Sequence, residues 1–384
     1  MKKIVVWLTV LITVMSVIVP VKAEGPEIEA PCAILTEAST GRVIYEKNAD
    51  ESLHPASITK IMTLLIIFDA IDDGSISPED TVTVSEHAAS MGGSQVFLEP
   101  GETQTIETMI KCIAIASAND ACVAMAEHIS GSEDAFVQSM NERAEALGMN
   151  NTHFVNCCGL DADGHMTTAR DVAIMSRELI MAHPAIHDYS CIWMDTITHV
   201  TRRGESEFVL NNTNKLLKQY EWATGLKTGS TSLAKFCLSA TARRNDIELI
   251  SVIMASPSGK TRVSDSIALL NYGYGICSLY HDNNMPSIDV IPIKGGIKSD
   301  ISVEYSSQMN YLFTDKYDAS LIESHAEYLE DLEAPVQKGD VIGQLTYTYD
   351  GKFMDSIDII ASESIEKAGY GDYINSLWQC FLGN

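Results

Sequence analysis

Residues 57–71 constrain the fold of this 384-residue chain more than any other segment. The segment is apolar almost all round at helical spacing, a pattern typical of a helix that is buried on every side. Lys60 is its one basic residue, and a buried ammonium group is costly unless it is paired or has a depressed pKa. The segment therefore predicts a buried helix with an unusual lysine near its start.

Lys60 follows Ser57 by three residues, so the two side chains share one face of the predicted helix. A lysine with a lowered pKa can activate a neighbouring serine hydroxyl as a nucleophile. Pro55 and Ala56 place Ser57 at the helix N-terminus, where free N–H groups and the helix dipole favour developing negative charge. The alternative is a lysine whose alkyl stem carries the ammonium group to the surface.

Two further motifs carry polar groups suited to a catalytic cleft. Ser117-Ala118-Asn119 lies between two predicted helices, 106–116 and 121–129, where a hydroxyl and an amide can point into a cleft. Its alternative is a helix junction capped by Ser117.

Lys227-Thr228-Gly229 is the third motif, and we expect it at the start of a strand. Gly229 lets a ligand approach the backbone, while Lys227 and Thr228 can bind a carboxylate. Its alternative is a solvent-exposed turn. The three motifs in this order, in an exported chain, are far from a chance combination.

Export is predicted by the first 23 residues, which have a basic start, an apolar run and the ending Val21-Lys22-Ala23. This pattern is typical of a cleaved signal peptide, and the alternative is an uncleaved anchor helix. We therefore expect the protein to act outside the cytoplasm.

The amino-acid composition indicates a globular protein and argues against one class of function, nucleic-acid binding. The chain is 46% hydrophobic and 20% charged, which is ordinary for a packed globular protein. Its 52 acidic and 26 basic residues give a formal charge of −26, which does not fit nucleic-acid binding.

Cysteine and histidine usage gives no sign of a cofactor. No C-x-x-C occurs among the nine cysteines, and most of them are interpreted as small buried hydrophobic residues. The histidines are scattered and no H-E-x-x-H is present, so the sequence predicts no metal site and no cofactor.

The order of predicted elements indicates an α+β chain with two domains. Helices dominate to about residue 184, and extended segments follow. Residues 281–286 form a turn-rich break. We expect a first domain over 24–280, an antiparallel sheet flanked by helices, and a small β-rich domain over 286–369.

A short tail, 370–384, closes the chain. Its apolar and aromatic residues recur at the spacing of one helix face, which indicates either an amphipathic membrane-surface helix or a helix packed on the β domain.

The set S-x-x-K, S-x-N and K-T-G resembles the signature of class A β-lactamases and penicillin-binding proteins. More closely, the chain resembles the low-molecular-weight penicillin-binding proteins of the serine-type D-alanyl-D-alanine carboxypeptidase family, with a transpeptidase-like fold. The resemblance extends over essentially the whole mature chain. It rests on Pro55-Ala56-Ser57-Ile58-Thr59-Lys60, Gly92-Gly93-Ser94-Gln95-Val96-Phe97-Leu98-Glu99-Pro100-Gly101, Ser117-Ala118-Asn119-Asp120-Ala121, Gly159-Leu160-Asp161, Thr167-Thr168-Ala169-Arg170-Asp171 and Ala334-Pro335-Val336-Gln337-Lys338-Gly339-Asp340.

The resemblance implies a serine peptidase that acts on the peptidoglycan stem peptide and is inhibited by β-lactams. It implies that Ser57 attacks the carbonyl between the two terminal D-alanines, and that Lys60 takes the proton from Ser57. Ser117 would relay a proton to the leaving amine, while Asn119 would bind the substrate backbone and steady Lys60.

The same resemblance implies a set of substrate-binding residues. Lys227, Thr228 and Gly229 would hold the terminal carboxylate, and Arg262 would lie near that carboxylate. The backbone N–H groups of Ser57 and Ser230 would form the oxyanion hole.

Three residues depart from the family pattern. Cys158 stands where many relatives carry histidine, Thr224 where many carry aspartate, and Lys235 where glycine is usual. None lies in the three motifs, so we expect them to affect substrate preference and rate.

Three alternatives to a carboxypeptidase are open. An endopeptidase that cuts cross-links would use the same residues, and an inactive wall-binding scaffold would have lost some of them. A class A β-lactamase needs a glutamate over the nucleophile, and the only E-x-x-L-N, residues 207–211, is predicted to be a strand close before Lys227.

Overall fold

The computed structural model describes residues 25–288, 290–372 and 374. The predicted signal peptide and most of the predicted C-terminal tail lie outside the described residues. The α-helices are α1 (Lys60–Asp72), α2 (Glu86–Ala89), α3 (Ile106–Ala114), α4 (Asn119–Ser130), α5 (Glu133–Ala146), α6 (Ala169–Ala182), α7 (Ile186–Ser190) and α8 (Gly259–Ile276). Three short 3₁₀ turns span Ala56–Thr59, Lys215–Lys218 and Ala319–Leu321.

The strands form one large sheet and several small ones. The part of the chain up to residue 256 contains β1 (Cys32–Glu37), β2 (Val43–Lys47), β3 (Thr81–Thr83), β4 (Thr103–Thr105), β5 (Met194–Thr201), β6 (Gly204–Asn211), β7 (Ala223–Thr231), β8 (Lys235–Arg244) and β9 (Ile247–Ser256). The C-terminal part contains β10 (Ser278–His281), β11 (Ile291–Pro292), β12 (Asp300–Ile301), β13 (Val303–Tyr305), β14 (Asn310–Phe313), β15 (Ile322–Tyr328), β16 (Val341–Tyr349) and β17 (Lys352–Ala361).

The main sheet has five antiparallel strands in the order β2-β1-β9-β8-β7. Helices cover both faces, because α6 packs on β9 and β1 while α8 packs on β8 and β9. Successive residues of β1 therefore enter different cores, with Ile34 on the α1 side and Leu35 on the α8 side. This arrangement confirms the predicted α+β fold.

The predicted buried helix is present as the 3₁₀ turn Ala56–Thr59 followed directly by α1. Most residues of α1 are buried, since α3, α4, α5 and α6 all pack against it. The helix therefore runs through the centre of the larger core.

The C-terminal part is rich in strands, as predicted. A four-stranded antiparallel sheet has the order β13-β17-β16-β15, and β10 pairs with β14. Arg42, in the loop before β2, donates to the carbonyl oxygen of Leu312 in β14 at 2.5 Å, which joins the two parts of the chain.

One predicted boundary was wrong. Lys227-Thr228-Gly229 lies in the interior of β7 instead of at the start of a strand, because pairing with β8 begins at Ala223. Residues 301–305 are divided between β12 and β13, which pair with different strands. Helix α8 begins at Gly259, because the Ser258 hydroxyl accepts from Thr261 N–H and caps the helix.

Among the described residues, no helix combines the length and the apolar character needed to cross a membrane.

His165 ties the turn before α1 to the loop that follows α5. Its buried ring accepts from Val155 N–H at Nδ1 (2.9 Å), so Nε2 carries the proton and donates to the Thr59 hydroxyl (2.8 Å). Burial, together with the nearby His54 and His153, lowers the pKa of His165 from 6.5 to about 4. The fold therefore needs the neutral imidazole.

We expect this histidine to make the domain sensitive to mild acid. Because the pKa of His165 is lower in the folded state than in the unfolded state, the unfolded chain binds more protons below pH 6.5. The free energy of unfolding should fall by about 3 kcal/mol between pH 6.5 and pH 4 from this group. Denaturant titrations at several pH values should show a weaker pH dependence in His165→Asn. The exposed His128→Asn should match the wild type, and equal pH dependence in all three proteins would contradict the prediction.

Candidate active site

Ser57 occupies the second position of the 3₁₀ turn that precedes α1. Its neighbours Ala56, Ile58 and Thr59 are buried, whereas Ser57 stays partly exposed. Ala56 takes a positive φ of 50°, which is uncommon for a residue with a side chain. The turn thus holds the Ser57 hydroxyl on the solvent side, because the residues on either side of Ser57 are buried in the core.

The Lys60 ammonium nitrogen lies among three oxygen atoms. Its Nζ is 3.2 Å from Ser57 Oγ, 2.6 Å from Asn119 Oδ1 and 2.7 Å from the carbonyl oxygen of Cys158. Lys60 is fully buried, so the alternative of a lysine that reaches the surface is wrong. In a neutral amine, two N–H groups can serve the amide and the carbonyl, which leaves the lone pair facing the Ser57 hydroxyl.

Asn119 is held from several sides at the start of α4. Its Nδ2 donates to the carbonyl oxygen of Gly92 at 2.7 Å, and its backbone N–H donates to that of Ser94 at 2.7 Å. The buried Asp120 carboxylate accepts from the N–H groups of Val96 and Leu98 at 3.1–3.3 Å. The segment 92–98 is therefore fastened to the same helix end that supports Lys60.

Lys227 is the second fully buried lysine of the site. Its Nζ donates to Ser117 Oγ at 2.8 Å and to the carbonyl oxygen of Thr228 at 3.1 Å. Burial, and then the positive charge of Lys60, hold the pKa of Lys227 well below the usual value for lysine. A bound anion would stabilise the charged form of Lys227 against both of these effects, so the site favours a negatively charged ligand group next to Ser117.

Ser117 and Thr228 complete this side of the cleft. Ser117 is buried and takes a φ of 61°, which lets the chain turn sharply between α3 and α4. The Thr228 hydroxyl shares a hydrogen bond of 2.6 Å with the hydroxyl of Thr213. Both hydroxyls thus have defined positions beside Lys227.

Gly229 allows β7 to approach the Ser57 turn closely. A Cβ at Gly229 would lie 2.9 Å from the backbone nitrogen of Ser57 and 3.0 Å from that of Ile58. Real Cβ atoms avoid such contacts with backbone, so position 229 requires glycine. Ser230 is exposed and follows directly, so its N–H belongs to the strand segment that runs beside Ser57.

Arg262, on the first turn of α8, binds the backbone of the sheet. Its Nη1 donates to the carbonyl oxygens of Gly229 and Cys237, both at 3.0 Å, while its buried Nε has no partner among the described residues. Burial lowers the pKa of Arg262. Arg262 therefore lies behind the strand that carries the third motif, with one donor to spare.

The structure brings together all nine residues that the sequence predicted for the site. The list is Ser57, Lys60, Ser117, Asn119, Lys227, Thr228, Gly229, Ser230 and Arg262. Sequence reasoning missed the carbonyl oxygen of Cys158, because a backbone acceptor has no signature in the sequence. It also missed the hydrogen bond of 2.7 Å from Thr231 Oγ1 to Asp161 Oδ1, although Gly159-Leu160-Asp161 belonged to the family pattern.

The E-x-x-L-N motif lies where the sequence predicted it. Glu207 is an exposed residue of β6 and pairs with Thr198 across a hairpin with β5. It is therefore part of a regular strand.

Comparisons with known proteins agree with these motifs. The family model of D-alanyl-D-alanine carboxypeptidase, peptidase family S11, matches residues 19–258, and the model of the C-terminal domain of penicillin-binding protein 5 matches residues 280–367. The chain is 41% identical over 345 residues to D-alanyl-D-alanine carboxypeptidase DacF of Bacillus subtilis, covering 89% of this chain and 87% of that protein.

A second relative and a solved structure extend the likeness over both parts of the chain. D-alanyl-D-alanine carboxypeptidase DacC of Escherichia coli is 32% identical over 374 residues, covering 90% of this chain and 87% of that protein. The crystal structure of penicillin binding protein 5 from Haemophilus influenzae has a TM-score of 0.75 at 29% identity, covering 90% of this chain and 99% of that one. This chain thus belongs to the D-alanyl-D-alanine carboxypeptidase family of serine hydrolases.

Proposed function

We propose that this protein removes the terminal D-alanine from peptidoglycan stem pentapeptides through an acyl-enzyme on Ser57, and that penicillin acylates the same serine. The observation that carries the proposal is the position of Lys60 Nζ between Ser57 Oγ and two fixed oxygen acceptors. We assign the reaction to residues 24–280 and treat 286–369 as the small β-rich domain.

Acylation begins with the proton on Ser57 Oγ. Neutral Lys60 keeps two N–H bonds to Asn119 and Cys158, accepts this proton, and leaves Oγ free to attack the carbonyl carbon between the two D-alanines. The N–H groups of Ser57 and Ser230 stabilise the oxyanion of the tetrahedral intermediate. The C–N bond then breaks.

The leaving amine takes its proton from Ser117 Oγ. Lys227 Nζ, 2.8 Å away, can then donate a proton to Ser117 Oγ. Lys227 and Thr228 hold the terminal carboxylate, which explains a preference for a free C-terminus. Arg262 keeps β7 in place by binding the carbonyl oxygen of Gly229. Water then attacks the ester carbonyl on Ser57. Lys60 returns its proton to Ser57 Oγ as the ester C–O bond breaks, and the proton that the water gives up restores Lys227 through Ser117.

The carboxylate contact favours a carboxypeptidase over an endopeptidase. Incubation with a pentapeptide ending in D-Ala-D-Ala should release free D-alanine, whereas a cross-linked muropeptide should be cut more slowly. Slow release of bound penicillin would separate the protein from a β-lactamase, and release of no D-alanine would overturn the proposal.

Ser57→Ala should abolish covalent labelling by a reporter penicillin, because the variant has no hydroxyl to acylate. Peptide mass mapping of the wild type should place the adduct on the peptide that contains Ser57. The exposed Ser264→Ala is a matched control and should label normally. An adduct on another residue would refute this role for Ser57.

The two buried lysines should respond differently to replacement by arginine. Lys60→Arg cannot lose its proton and should lower the acylation rate by about 100-fold or more. Lys227→Arg keeps a cation for the carboxylate and should retain a larger share of activity, and the exposed Lys260→Arg is the control.

The pH dependence should distinguish the two roles further. Because the pKa of Lys227 is depressed, its ammonium form is lost at a lower pH than for an ordinary lysine. KM for the peptide should therefore rise with pH in the wild type and stay flat in Lys227→Arg, which remains protonated. Steady-state kinetics across the alkaline range test this. For the comparison of the two arginine variants, a Lys60→Arg enzyme as active as the wild type would defeat the assignment of Lys60 as the general base.

We also propose that the protein is exported by residues 1–23 and lies on the outer face of the cytoplasmic membrane through residues 370–384. Tyr370 and Ile374 are exposed, and the tail carries no lysine or arginine, so binding must come from its apolar face. Vesicle co-sedimentation of the mature protein should be weak, little affected by salt, and reduced when 370–384 is removed. Equal sedimentation of both forms would show that the tail is not an anchor.

A further inference from the structure

Two neighbouring thiols lie behind the site, on the loop between α5 and α6. Cys157 and Cys158 are both fully buried, and Cys157 N–H donates to Glu133 Oε1 at 3.2 Å. The two sulfur atoms and a carboxylate oxygen of Glu133 all lie within 4.8 Å of one another. The proposed reaction uses none of these three side chains.

Two thiols and a carboxylate form a ligand set suited to thiophilic divalent metals, zinc above all. Around a tetrahedral zinc ion, neighbouring ligand atoms stand about 3.4–3.8 Å apart, given Zn–S bonds of about 2.3 Å. The three atoms therefore need to approach one another by at most about 1.4 Å, which side-chain rotation can supply.

The site can be reached from solvent on the side of Glu133. The second oxygen of that carboxylate, Oε2, lies 3.2 Å from Nε2 of His87, whose side chain is 56% exposed. This contact is a hydrogen bond between the imidazole and the carboxylate. His87 lies outside the group of three ligand atoms, so water is the ligand that can complete the tetrahedron.

The charge balance of the three side chains also favours the binding of a divalent cation. We propose that Cys157, Cys158 and Glu133 bind one divalent cation of the zinc class, with water as the fourth ligand. Each thiol releases its proton to solvent as its sulfur coordinates the metal, so two protons leave as two positive charges arrive. The net charge of the buried cluster therefore remains that of the Glu133 carboxylate alone.

Metal binding here would fix the loop that packs against the Ser57 turn. The carbonyl oxygen of Cys158 accepts from Lys60, and the next residue, Gly159, lies so near the turn that a Cβ would be 1.9 Å from the Ala56 carbonyl oxygen. A cation held by the adjacent sulfur restrains both contacts from the side opposite Ser57. The expected consequence is a more stable protein.

The test uses Co²⁺ as a spectroscopic probe of the full mature protein, reduced and then freed of reductant without oxygen. We expect one equivalent of Co²⁺ to bind and to give thiolate-to-metal charge-transfer absorption, which Zn²⁺ then abolishes by displacement. Cys157→Ser and Cys158→Ser should each lose this absorption. Cys277→Ser, at a buried cysteine after α8, is the matched control and should keep it.

If a cysteine variant does not fold, Glu133→Gln tests the same site through its affinity for Co²⁺. Glutamine retains an acceptor for Cys157 N–H but removes the carboxylate, so Kd for Co²⁺ should rise at least 10-fold while penicillin labelling is unchanged. A saturating Zn²⁺ concentration should raise the Tm of the wild type by about 5 °C. Unchanged Kd in Glu133→Gln, or unchanged absorption in a folded Cys157→Ser, would overturn the proposal.

Discussion

The need to satisfy the buried amine at position 60 shapes the whole catalytic face. Three oxygen atoms surround its Nζ, and they come from the turn before α1, from the start of α4 and from the loop after α5. Losing the Asn119 or Cys158 acceptor would leave a buried donor unsatisfied, which costs about 1–3 kcal/mol. Three segments far apart in the chain are therefore held in one arrangement by a single side chain.

The second constraint is the closeness of β7 to the Ser57 turn. Gly229 leaves no room for a Cβ against the Ser57 backbone, and Arg262 holds the carbonyl oxygen of the same glycine. The sheet edge thus lies within reach of the nucleophile and places Lys227 against Ser117. Burial and the neighbouring Lys60 lower the pKa of Lys227, so an anionic ligand group is a suitable partner for its ammonium form.

The loop between α5 and α6 carries both an acceptor for Lys60 and the two thiols of the proposed metal site. Cys158 offers its carbonyl oxygen to Lys60, while its sulfur faces Cys157. Contact with Cys157 lowers the pKa of the Cys158 thiol, whereas that of Cys157 is raised well above the usual value. Cys158 is one of the three residues expected from the sequence to depart from the family pattern, and it adjoins the proposed general base.

The sequence by itself determined the features that depend on local spacing. Ser57 and Lys60 share a helix face because they are three residues apart, and the apolar run fixed α1 as a buried helix. The resemblance to the family also named nine candidate site residues, and the spacing of apolar residues indicated the order of helices and strands. Only the tertiary structure decided the contacts between distant segments, such as Lys227 with Ser117 and Glu133 with Cys157. The sequence predicted that most cysteines are small buried hydrophobic residues, and Cys157 is buried. Its contact with Glu133 could not be predicted, because contacts between separate elements leave no periodic pattern and form only when the core packs.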